Sequence, residues 1–230
     1  MAAFRGFPAE AIEFLQELEA NNDRDWFKAN RARYEQFLLS PATALGEDLS
    51  DFGAPRLFRP FNDTRFRPGP PIKEHIGLAI GYEGAGGFYV ELSLDGLLVA
   101  AGLHNPAPDQ VERLRQALDQ PRLAARLRKA IAGAQTAGLQ LGEPDLSRGP
   151  RGYRADHPQM DLLRRRKITL SASHKLAGWL HRPSAGTRIQ EQLRAATPVV
   201  RWLREQLGPS TTVPGREKRR DASMVSRGLW

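Results

Sequence analysis

The sequence contains no cysteine. That excludes a disulfide framework, a thiolate metal site and a cysteine nucleophile. It holds no apolar run of 18 or more residues, so no membrane span is expected. The opening "MAAFRGFPAEAIEF" has one basic residue, then acids, and no continuous apolar stretch. A secretory signal is therefore not expected, and cytoplasmic residence is. Also missing are a Walker loop and a G-x-S-x-G elbow. The Gly-rich "GYEGAGG" leads into a strand pattern rather than a helix, so it is no dinucleotide fingerprint. The sequence names no cofactor.

What is present suits a folded chain: 230 residues, 40% hydrophobic and 26% charged. The net charge is +8, and six of the 34 basic residues are Lys against 28 Arg. A basic chain invites a nucleic-acid reading, and Arg is the better phosphate ligand. Residues 208–230, with five basic and two acidic side chains, supply +3 of the +8. The remaining +5 is modest for this length, so nucleic acid is the weaker partner reading.

Periodicity divides the chain into helical ends around an extended middle. "PAEAIEFLQELEA" carries Ile12, Leu15 and Leu18 on one stripe. "NN" at 21 and 22 ends that helix and caps a second bearing Trp26, Phe27, Tyr34, Phe37 and Leu38, and Pro41 starts a third. "KEHIGLAIGY" reads as a strand, and "GFYVELSLDGLLVAAGL" as a hairpin with an Asp95-Gly96 turn. Helices return at "PDQVERLRQALD" and at "RLAARLRKAIAG", the latter closed by Gly133. A short strand "LQL", a capped helix "DHPQMDLLRRRK" and a strand "KITLSA" come next. Two helices, "TRIQEQLRAA" and "PVVRWLREQL", finish the fold. The expectation is an α+β class: an antiparallel β-sheet with hairpins packed against N-terminal and C-terminal helices. Residues 1–207 form one domain, and 208–230 form a basic, disordered tail.

By this point the chain has shown "NNDRDWF", "DTRF", "IKEH", "GFYVEL", "GLHNP" and "PRGYRADHP" in that order. The succession resembles the family known as domain of unknown function 2461, over residues 4–207. The resemblance implies a single domain and brings no reaction with it. Asp63, Thr64, Arg65, Phe66, Pro71, Lys73 and His75 stand where the family pattern expects them. Arg67, Pro68, Gly69 and Pro70 replace a Ser-Lys-Asp-Lys-like stretch, and Ile72 replaces an aromatic, so no role can rest on those lysines.

The stretch "FNDTRFRPGPPIKEH" gathers the candidate chemistry. If extended, it puts Asp63 and Arg65 on one face, and Lys73 with His75 on one face. One acid among Arg, Lys and His suits an anionic ligand: Arg65 forks onto phosphate or carboxylate and Lys73 adds a point charge. Asp63 orients Arg65 or acts as a base, and His75 moves a proton near neutral pH. The bland alternative is an edge salt bridge worth about 0–1 kcal/mol, with an edge lysine against aggregation.

A second loop, "RGPRGYRADHP", offers Arg151, Tyr153, Asp156 and His157 beside a helix start, where backbone N–H groups suit an anion, with His157 as the alternative to His75 for carrying a proton. Its alternative is a capping box with Asp156 as N-cap and Gln159 at N3. His104 stands at a strand end as a further ligand contact. Spacing of His75, His104 and His157 with Asp63 or Asp156 matches no metal motif, so no metal site is expected. The functional expectation is a soluble domain binding a small phosphate- or carboxylate-bearing molecule in a basic pocket, with enzymatic action on it left open. A nucleic-acid module and a non-catalytic interaction scaffold are the alternatives.

Overall fold

Where apolar residues recur every second position the backbone is extended, and where they recur every third or fourth it is helical. In the computed structural model, which describes residues 3–63 and 69–212, the extended segments join one six-stranded antiparallel sheet. Its strands are β1 (Pro55–Leu57), β2 (His75–Ile80), β3 (Gly87–Ser93), β4 (Gly96–Leu103), β5 (Gln140–Leu141) and β6 (Ile168–His174), in spatial order β1-β2-β3-β4-β6-β5. Helices α1 (Ala9–Ala20), α2 (Arg24–Ala29), α3 (Arg31–Tyr34) and α4 (Ser40–Asp48) precede the sheet. Helices α5 (Pro108–Leu118), α6 (Pro121–Thr136) and α7 (Met160–Leu163) fall between β4 and β6, and α8 (Ser184–Gln206) follows. The arrangement is α+β. Among the described residues no helix is long and apolar enough to cross a membrane.

Alternation gives the sheet two different faces. Ile76, Leu78, Ile80, Phe88, Val90, Leu92, Leu97 and Val99 form the core with Phe14, Leu45, Ile189, Leu193, Ala196 and Leu203 of the helices. Burying each such side chain is worth about 1.5–3 kcal/mol. The opposite face carries Gly77, Ala79, Tyr89, Glu91 and Ala100, with Ala79, Tyr89 and Ala100 packed under Phe58 and Leu98.

Helix boundaries depart from expectation where tertiary packing outweighs local signals. Asp23, not an asparagine, caps α2, accepting from the Asp25 and Trp26 amides. Pro41 stands in the first turn of α4 as expected, but α4 follows α3 without a break, through a π turn at Glu35–Leu39 just ahead of the proline. A widened turn accommodates a residue that has no N–H and whose ring crowds the preceding turn. Helix α6 passes Gly133 and ends at Thr136. The two helices expected around Pro198 are one, α8, because Ile189, Leu193, Ala196, Val199, Val200 and Leu203 bury one stripe. An interior proline costs ~3 kcal/mol, less than exposing half of that stripe.

In the hairpin, Ser93 pairs with Gly96, so Leu94 and Asp95 make the turn and the positive φ falls on Gly96. The tail expected from residue 208 starts bound: Ser210, Thr211 and Thr212 donate to the Asp109 carboxylate at the start of α5. Arg113 joins Asp109 to the carbonyls of Leu207 and Pro209. Residues 213–230 lie outside the described residues.

Candidate functional site

The chain enters β2 through an antiparallel pairing of the two arms of the 61–75 stretch. Phe58 N–H donates to Gly77, Asn62 N–H to Pro71 and Lys73 N–H to Pro60, and Phe61 is bridged to Ile72. Asn22, in the loop before α2, clamps this arm from the side. Its amide donates to Ile72 O at 3.0 Å and to Glu74 Oε1 at 2.7 Å, and it accepts from Ile72 N–H at 3.0 Å. Two backbone-like hydrogen bonds to one residue fix the twist of the arm and thereby the direction of Lys73. Asn62 adds a second clamp, donating to Pro70 O.

Lys73 and His75 thus share a face, and the register adds partners that charge patterning alone did not select. His75 stands opposite Ser93, Gly77 opposite Glu91, and Ala79 opposite Tyr89. Lys73 is only 5% exposed, which excludes the role of a solvated edge lysine. Its ammonium lies 5.4 Å from the centre of the Phe58 ring, and the Arg56 guanidinium carbon lies 5.1 Å from the same centre. Burial, aided by the nearby positive charge of Arg59 and opposed by Glu91, lowers the Lys73 pKa to about 8.

Glu91 is nearly buried, and its Oε2 accepts the Tyr89 hydroxyl at 2.6 Å. Burial first, then the Glu91 charge, pushes the Tyr89 phenol far above its ordinary range, so it stays a donor. Gly77 makes this bond possible, since a β-carbon there would overlap the Tyr89 hydroxyl. His75 Nε2 lies 3.5 Å from the same Glu91 oxygen without hydrogen-bond geometry. Burial lowers the His75 pKa, against the pull of Glu91, and favours the neutral ring. The result is a cation, an imidazole, a phenol and a carboxylate on adjoining strands, each held by rigid backbone. Asp63 is half-buried at the edge of this region, and Arg65 lies outside the described residues.

On the helix side of the same edge, Phe58 and Arg59 line a cleft of about 300 Å³ with Phe27, Tyr34, Leu57 and Phe61. Phe61 is the large apolar side chain left exposed there, at 38%, resting edge-on against Phe27.

The 148–158 loop assembles differently. Tyr153 donates to Asp119 Oδ2 at 3.2 Å, and His157 Nε2 lies 3.2 Å from Asp119 Oδ1. The other His157 nitrogen accepts from Gln159 N–H at 3.1 Å, so both ring nitrogens already face protein groups. Asp156 is not the N-cap: α7 starts at Met160 behind Gln159, and Asp156 pairs doubly with Arg154 at the surface. The turn of residues 157–160 and the early Pro158 leave only a short helix to cap. Asp119, Tyr153, Arg154, Asp156 and His157 line an open depression of about 570 Å³, and Arg151 is exposed outside that lining.

His104 is separated from the Lys73–His75 group. His75 pairs with Ser93 at one end of β3, while His104 follows Gly102, the partner of Gly87 at the other end. Six residues of strand span roughly 20 Å. Burial, with Lys167 nearby, lowers the His104 pKa to about 4. Among the described residues no three His, Asp or Glu side chains are grouped to hold a metal ion. Nor does any hydrogen bond or ion pair among them join the 61–75 arm to the 148–158 loop.

Asn22, Phe58, Arg59, Asp119, Tyr89 and Glu91 are the site residues that charge patterning overlooked. The signal for two of them was in "GFYVEL", where alternation sets Tyr89 and Glu91 together against apolar Phe88, Val90 and Leu92. A carboxylate in the middle of an apolar strand needs a partner.

Fold and geometry therefore define an α+β protein with a buried polar cluster on the sheet face opposite α8. The family model described as conserved hypothetical protein (DUF2461) matches residues 10–202, and the chain belongs to that family. No curated protein and no solved structure matches it.

Proposed function

We propose that this protein binds a small anionic molecule, bearing phosphate or carboxylate, at the Lys73 cluster. The observation behind this reading is Lys73 itself: 5% exposed, while among the described residues no ion pair uses its ammonium. A buried ammonium without a paired carboxylate is costly, and its lowered pKa expresses that cost. An anion entering beside it supplies the counter-charge. Arg56 and Arg59 stand at the rim as forked donors.

In this reading Lys73, Arg56 and Arg59 hold the anion. His75 passes a proton by way of Glu91. Asp156 is matched by Arg154 and His157 by Asp119, so the 148–158 loop lies outside the site. A cysteine-free chain handling a small anion suits a cytoplasmic setting.

A thermal-shift series tests the reading, using inorganic phosphate, sugar phosphates and dicarboxylates on the wild type and on Lys73→Met. A ligand at 100 times its Kd adds about 2.7 kcal/mol, a Tm rise of roughly 5–10 °C for a domain of this size. One class should raise the wild-type Tm and leave Lys73→Met unmoved. A folded Lys73→Met that responds as the wild type does would sink the proposal.

A further inference from the structure

The anion site leaves one feature unexplained, which is that its central cation is a lysine. In a chain that uses Arg for 28 of 34 basic residues, holding an anion would be served by a forked guanidinium. What Lys offers and Arg does not is the loss of a proton, which exposes a nucleophilic lone pair. The surroundings of Lys73 favour that loss by two routes at once: removal from water and adjacent positive charge from Arg59. The Phe58 ring gives the amine an apolar wall. Tyr89 and Glu91 on β3 and His75 at the start of β2 form a contact chain able to carry protons.

We propose that Lys73 forms an imine with a carbonyl carbon of the anionic ligand, which makes 2-oxo acids and phosphorylated aldehydes or ketones the ligand class. The inference rests on the anion site proposed above. The Nζ lone pair attacks the carbonyl carbon, and the C=O π pair moves to oxygen. That oxygen takes up the proton released by nitrogen, giving a carbinolamine. Its hydroxyl then leaves as water on protonation from the His75–Glu91 pair, while the second N–H proton returns to that pair. Amine plus carbonyl gives imine plus water, and both N–H protons end on the water. No oxidant or reductant is consumed. The arginines place the anionic group, and the buried face limits hydrolysis of the imine.

The full chain is incubated with glyoxylate or pyruvate and sodium cyanoborohydride, then digested and mapped by mass spectrometry. With six lysines the map is unambiguous: Lys73 competes with Lys28, Lys129, Lys167, Lys175 and Lys218. The expected result is a reduced adduct at Lys73 at least about tenfold above every other lysine, as follows from the excess of free amine at neutral pH. Labelling should rise with pH around a midpoint near 8. Inorganic phosphate should protect Lys73 from labelling. Adducts spread evenly over the lysines, or absent, overturn the proposal. Phosphate binding on calorimetry without a Lys73 adduct overturns the imine alone and leaves the anion site standing. Neither binding nor adduct overturns both. An adduct that phosphate fails to protect separates the carbonyl chemistry from the anion site and also overturns the inference as stated.

Discussion

Two regions of this molecule collect the same kinds of side chain and end in opposite states. On β2, β3 and the arm leading into β2, Lys73, His75, Tyr89 and Glu91 are shielded from water, and among the described residues no carboxylate forms an ion pair with the ammonium. In the 148–158 loop, Tyr153 and His157 converge on Asp119, Arg154 pairs with Asp156, and the surface is open. Charge in water is cheap and exchangeable, so the loop can match Arg154 and His157 locally at little gain. Charge taken out of water must be compensated, and where the protein itself does not compensate it, a ligand has the most to contribute. Burial and imbalance, more than residue type, mark the site.

The comparison can be broken most directly by affinity. Lys73→Met should weaken binding of the anion by roughly tenfold to a hundredfold, the loss of one charge-assisted contact of about 1.5–3 kcal/mol. Asp156→Ala in the loop should leave the affinity within about twofold, with calorimetry on both variants as the check. Equal losses would erase the distinction.

A steric change comes next. Gly77→Ala should destabilise the fold by about 1–3 kcal/mol in urea denaturation, because the new methyl displaces the Tyr89 hydroxyl from Glu91. A neutral outcome would mean that the Tyr89–Glu91 bond is dispensable.

The pH dependence sharpens the same contrast. Burial holds the Lys73 pKa at about 8 in the folded protein, below the ordinary lysine value of 10.5, so its charge opposes folding at neutral pH. That penalty is complete below pH 8 and is relieved as pH rises from 8 to 10.5, where the folded amine is neutral and the unfolded one is still charged. Wild type should gain roughly 1–2 kcal/mol across that window relative to Lys73→Met, allowing for residual screening. Anion affinity should fall over the same window as the ammonium titrates. A flat difference between the two proteins would place Lys73 in water.

The smallest effect belongs to the loop. Asp119→Ala removes the partner of both Tyr153 and His157, yet exposed pairs of this kind are worth about 0–1 kcal/mol. A loss well above that in thermal denaturation would show the loop network to be a structural centre.

Much of this could be read along the chain. The period-two runs at "KEHIGLAIGY" and "GFYVELS" predicted strands and put Lys73 beside His75, because side chains two apart on a strand must share a face. The stripes of α1, α5 and α6 were equally plain. Other elements resisted local reading. Pro198 signals a break, yet α8 passes through it, and Asn22 looks like a cap while serving the arm that holds Lys73, 50 residues away. Both outcomes arise from contacts that no local window contains.

The sequence by itself determined the secondary-structure periods, the faces of the strands and therefore which side chains could stand together. Only the tertiary structure decided that β2 lies against β3 with Gly77 facing Glu91, that Tyr89 crosses that glycine, and that Lys73 loses its water. Face is a local property of the backbone repeat. Register and burial depend on which distant segments exclude water together.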